Sequence, residues 1–154
     1  MKKLILRVII VFMLFTFIPI FYSFGIHKAE QENHKILYIK DLNPKSFITL
    51  CKERHNKTPI NSVSMAGEFP DNWVKQNDVQ YLISIMHSKE KCCGYMNILS
   101  SHISKDDAEV GGFAIIFLNS YINKTKINLG LNSYPKTDKE SIKKIENWYK
   151  KTAK

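Results

Sequence analysis

Residues 104–123, SKDDAEVGGFAIIFLNSYIN, pass from an acidic lead-in to a nearly unbroken apolar run, and the class of the fold turns on whether that run is helix or strand. The piece GGFAIIFL, residues 111–118, has the length of a strand, and its β-branched content decides nothing. The full run to Asn123 is longer than most strands, so its length predicts a helix. Ser104, Asp106 and Asp107 stand where caps and first-turn acids belong. Gly111 and Gly112 then fall in the first turns, where the missing Cβ lets another backbone come close. A helix this apolar has no face for water and reads as the centre of a core.

Other segments share its period. In residues 73–88, WVKQNDVQYLISIMHS, Trp73, Val79, Leu82, Ile83 and Met86 recur at helical spacing, with Asn77-Asp78 as cap or first-turn acid. Asn43-Pro44 is a cap followed by proline at the first helical position, and the helix it opens runs to about His55 with Phe47, Leu50, Cys51 and Arg54 on one side. Thr137 and Glu140 match a capping box ahead of Ile142, Ile145, Trp148 and Tyr149, whose stripe suffices to dock on a core despite five flanking lysines. Residues 36–42, ILYIKDL, are a short strand or an extended lead-in. Residues 56–72, NKTPINSVSMAGEFPDN, carry two prolines, a glycine and three asparagines and read as a loop, as do residues 128–135. The expectation is an all-α or mostly α domain of about four helices over residues 36–154.

Ahead of it, Val8 to Ile26 form nineteen residues without a charge, enough to cross a bilayer core of ~30 Å. Residues 1–26 therefore read as a signal anchor, or as a signal peptide cleaved near Gly25 after Ser23-Phe24-Gly25. Lys2, Lys3 and Arg7 hold the N-terminus in the cytoplasm by the positive-inside rule and place the rest outside. Residues 27–35, HKAEQENHK, form a polar tether. Three of the 23 basic residues precede the apolar run and none of the 14 acidic ones does, so the formal charge of +9 overstates the basicity of the domain. Its basic residues are almost all scattered lysines, with Arg54 the one arginine beyond the run. Nucleic-acid readers rely on arginine forks and clustered basic residues, so a solvated surface is the better reading and no nucleic-acid partner is expected.

Trp73, Asp78-Val79, Leu82-Ile83, Ser100-Ser101 and Gly111-Gly112-x-Ala114 resemble a group of small, uncharacterised bacterial proteins that are exported or membrane-anchored. The resemblance spans residues 70–123, implies a helical fold and a bacterial source, and carries over no functional residue.

The chemistry-bearing candidates centre on EKCCGYMNILSS, residues 90–101. Cys51 and His55 share a helix face, and Cys92 with Cys93 completes four potential zinc ligands, although adjacent cysteines depart from the C-x2–4-C spacing of structural zinc sites. A disulfide from Cys51 to Cys92 or Cys93 suits an extracytoplasmic compartment and would contribute about 3–4 kcal/mol by closing a loop of about 40 residues. Three buried, unreactive thiols are the third reading, and the lack of C-x-x-C speaks against redox catalysis. His87 and His102 flank this stretch and read as exposed or capping; Asp106, Asp107 and Glu109 read as helix-start acids rather than acid-base pairs. Ser64 lies in no nucleophile elbow, and phosphate-loop, zinc-protease and calcium-loop patterns are absent from the sequence. Phe69, Trp73, Tyr95 and Tyr134 look exposed near loops and are the candidate contact residues. The expected function is a non-catalytic binding domain of the cell envelope with a protein or peptide partner and no cofactor. Two rivals stand beside it. One is an extracytoplasmic metal- or thiol-dependent enzyme using Cys51, His55, Cys92 and Cys93, with His87 as a further candidate member. The other is a structural component touching anionic lipid or cell-wall polymer.

Overall fold

A computed structural model describes residues 36–57 and 59–152. The membrane or signal segment at 1–26 and the tether at 27–35 lie outside the described residues, among which no helix is long and apolar enough to cross a membrane.

The chain opens with β1 (Leu37–Tyr38), makes a 3-10 turn at Ile39–Asp41 and enters α1 (Pro44–Arg54). It continues through β2 (Ser62–Ala66), α2 (Gln76–Ile85), β3 (Lys91–Cys92) and β4 (Gly94–Asn97). β5 (Ala108–Glu109) leads directly into α3 (Val110–Asn123), and β6 (Asn132–Ser133) precedes α4 (Lys139–Thr152). One sheet has the order β1-β2-β4-β6, in which β1, β2 and β4 run parallel and β6 antiparallel; β3 and β5 form a separate antiparallel pair. Parallel neighbours need a crossover, and α1 and α2 supply one each.

The expected all-α fold is therefore wrong: the domain is α/β. The error lies in the stretch 56–72, whose prolines, glycine and asparagines bracket a five-residue strand, SVSMA, at the middle of the sheet. Val63 and Met65 of that strand are fully buried while Ser64 is exposed. The other strands have two to four residues, too few for an alternating pattern to stand out. The segment 36–42 does supply a strand, and residues 128–135 contain one where a loop was expected.

The four helices stand where the periodicity puts them, with differences at their starts. Asn43 caps α1: its Oδ1 accepts from Ser46 N at 2.9 Å and Ser46 Oγ accepts from Asn43 N at 2.9 Å, with Pro44 at the first position. α2 begins at Gln76 rather than Trp73, because Asp78 Oδ2 accepts from Lys75 N at 2.8 Å and fixes the start there. At α3, Ser104 and Asp106 bond to each other and Asp107 is engaged elsewhere, so none of the three caps the helix. The amides of Val110 and Gly111 donate instead to the carbonyls of Glu90 and Ser88, at 3.0 and 2.9 Å. The cap of α4 is Asp138, whose Oδ2 accepts from Ser141 N at 2.7 Å; Thr137, the expected cap, gives its amide and hydroxyl to Glu109.

α3 is the hub, packing against α1, α2 and α4. Phe47 of α1 meets Phe113 and Phe117 of α3 edge-on at centroid distances of 5.2 and 5.3 Å, and Phe69, Trp73 and Tyr95 complete the aromatic core. Gly112 is where the close approach happens: a Cβ there would lie 2.5 Å from the backbone of Pro135.

Candidate functional site

Cys51, Cys92 and Cys93 are free thiols, each fully buried. The last turn of α1 brings them together, since the Cys51 carbonyl accepts the Cys93 amide at 3.0 Å. Burial pushes all three thiols up, Cys92 to about 12. They stay protonated at neutral pH, whereas nucleophiles and metal ligands act as thiolates.

His55 does not turn to the sulfurs. Asp107 Oδ1 accepts from His55 Nε2 and from Asn61 Nδ2, both at 2.9 Å, while Lys91 Nζ donates to Oδ2 at 2.8 Å. Hydrogen bonds from Lys91 first and His55 second hold the Asp107 carboxyl down at about 2. This cluster ties the end of α1, the turn before β2, β3 and the approach to β5 to one carboxylate. Among the described residues no group of three or more His, Cys, Asp or Glu side chains is arranged to hold a metal ion. His87 pairs with Glu146 on α4 at 3.1 Å, and His102 sits exposed on the loop between β4 and β5. Glu109, expected among the helix-start acids, clasps Thr137 and is lowered by that hydrogen bond.

Three of the four aromatic contact candidates are buried rather than exposed: Phe69, Trp73 and Tyr95 are only 4, 7 and 3% accessible. Trp73 donates its indole N–H to the Leu42 carbonyl at 2.7 Å and belongs to the core. Tyr134 is half-buried, lies across Gly94, whose missing Cβ makes room for the ring, and shares a 2.7 Å hydrogen bond with Ser62.

Phe69 and Tyr95 nonetheless show their edges to a cleft of about 550 Å³ that also takes in Asn97, Lys126 and Leu129. It opens where the parallel strands β2 and β4 end, the edge at which open α/β sheets place ligands. Gly67, at φ +86, turns the chain out of β2 and sets Glu68 at the mouth. Glu68 pairs with Lys126 across it at 2.6 Å, which lowers the carboxyl and raises the amine. Inside, Asn97 Nδ2 donates to the Tyr95 hydroxyl at 3.3 Å, and Asn128 Oδ1 accepts from Gly130 N at 2.9 Å. Ile127, Leu129 and Leu131 supply the apolar wall. No family model, curated protein or solved structure gives a significant match to this chain.

A second cleft of similar size, about 580 Å³, lies among the ends of α2, α3 and α4. Its most suitable recognition groups are already satisfied: the Tyr121 hydroxyl donates to Gln76, and the Trp148 ring packs edge-on against Tyr121 at 6.0 Å. Sequence reasoning reached Phe69 and Tyr95 but missed Glu68, Asn97, Lys126 and Asn128. The available signal was a glycine directly after the apolar-alternating SVSMA, which marks a strand end rather than mid-loop.

Proposed function

We propose that this chain is a membrane-tethered binding domain, held outside the cytoplasm by residues 8–26, whose cleft at the ends of β2 and β4 seats an uncharged peptide segment of an envelope protein. The observation that carries the reading is the composition of that cleft. Its one ion pair, Glu68 with Lys126, is self-neutralised, while amides and apolar side chains line the rest. Side-chain amides suit the groups of an extended backbone, and apolar walls suit its side chains. The raised pKa values of the three buried thiols count against the thiol-enzyme rival.

A photoreactive amino acid at Asn128, in the full chain expressed in cells, tests this against the same label at Lys143 on the outer side of α4. A covalent adduct of one defined mass at position 128 and not at 143 is the expected result. Identical adduct patterns at the two positions, or none at either, would remove the cleft as the binding site.

A further inference from the structure

Val63 and Met65 turn one face of the four-stranded sheet into the core, and the opposite face is open in part: Ser64 is exposed, whereas Ser62 and Ala66 are buried. Register defines that open face. Tyr38 pairs with Ala66, and Ser64 with Met96 and through it with Asn132. The Ile98 amide donates to the Met65 carbonyl at 3.1 Å, which continues the pairing and sets Ile98 beside Ala66. Ile36, two residues before Tyr38, falls on the same side. Around the exposed Ser64 and the buried Ala66 stand three apolar side chains, Ile36, Tyr38 and Ile98, at 53, 46 and 49% accessible. On the loop leaving β4, Leu99, directly after Ile98, and Ile103 are 81 and 70% accessible. Scattered exposed side chains need no explanation, but a contiguous set on one face marks a contact surface.

We infer that this face docks on the surface of the bilayer to which the chain is tethered. The inference rests on the tether reading of residues 8–26. Nine residues, 27–35, separate that run from Ile36, a reach of about 30 Å when fully extended. The described domain begins at Ile36, one of the exposed residues of this face. Tyr38 carries the Lys40 ammonium 5.6 Å from its ring centroid, the pairing of aromatic body and charged tip that membrane interfaces favour. Next to these residues in the chain, Lys40 and Asp41 follow Tyr38 and Lys105 and Asp106 follow Ile103, all four exposed, so the charges cancel. Contact therefore comes from apolar insertion, and anionic lipid adds little to it.

Leu99→Cys, coupled to a nitrobenzoxadiazole dye in the full chain, tests this; the native thiols are buried and spared by the reagent. The protein is reconstituted in phosphatidylcholine vesicles containing doxyl-labelled lipid, with Lys143→Cys as the comparison position. Quenching several-fold stronger at position 99 than at 143, unchanged when anionic lipid is added, is expected. Equal, weak quenching at both positions in protein that sediments with the vesicles overturns the docking and leaves the tether intact. Protein that fails to sediment removes the tether and the docking together. Disulfide dimers of the unlabelled Leu99→Cys chain, together with an unquenched dye in the labelled one, would give the face to a second copy of the chain instead.

Discussion

Asp107 shows how much one side chain can hold. Its carboxylate receives His55, Asn61 and Lys91 at 2.8–2.9 Å, from three separate segments. Asp107→Asn keeps the shape and removes the charge, and should lower stability at pH 7 by about 1–2 kcal/mol, since charge-assisted hydrogen bonds are worth somewhat more than neutral ones and Lys91 is largely exposed. The pH dependence has a definite sign. A folded-state pKa of about 2 lies below the unfolded value of about 3.9. The stabilisation is thus complete above about pH 4–5 and disappears as pH falls through 2. Urea midpoints of the two proteins, measured from pH 7 down to 2, should converge towards acid. A gap that is constant over that range would mean the carboxylate's charge is not what stabilises. None of this was legible from the sequence, where Asp107 is one of several acids ahead of a helix. A carboxylate's partners come from wherever the chain returns, and three of these are 16 to 52 positions away.

Among the elements, helices were readable and strands, apart from the short one within 36–42, were not. A helix of ten or more residues repeats its apolar face several times, so α1 to α4 announce themselves; strands of two to five residues complete at most two periods. Gly112 belongs to this scale. Gly→Ala inside a helix normally gains up to about 1 kcal/mol. Here the added Cβ would meet the Pro135 carbonyl group at 2.5 Å and Lys136 N at 2.8 Å, backbone that has no rotamer to yield. Overpacking wins, and Gly112→Ala should destabilise by about 1–3 kcal/mol in chemical denaturation. An unchanged or raised midpoint would show that the α3 to Pro135 contact opens at little cost. The glycine pair signalled close approach before the partner was known; the partner itself, a strand-to-helix connector, emerged only from the packing.

At the scale of the whole molecule, the three thiols sit in the one core shared by sheet and helices, each with no accessible surface. Alkylation at pH 7.5 should accordingly be slow for all three, with a common rate that rises in parallel with the unfolded fraction as urea is added. A single cysteine reacting at the rate of an exposed thiol would reveal a local opening and revive a reactive-thiol function. By itself the sequence determined the apolar run at 8–26, four helices, the centrality of α3 and the modest basicity of the domain, because each is a property of composition or of a repeat within one segment. Only the tertiary structure decided that SVSMA is an inner strand of a mixed sheet, that His55 belongs to Asp107 rather than to the cysteines, and that the cleft lies between Gly67 and Leu131. Pairing, carboxylate partners and concave surfaces all arise between segments distant in the chain, and local pattern is silent about which distant segment will arrive.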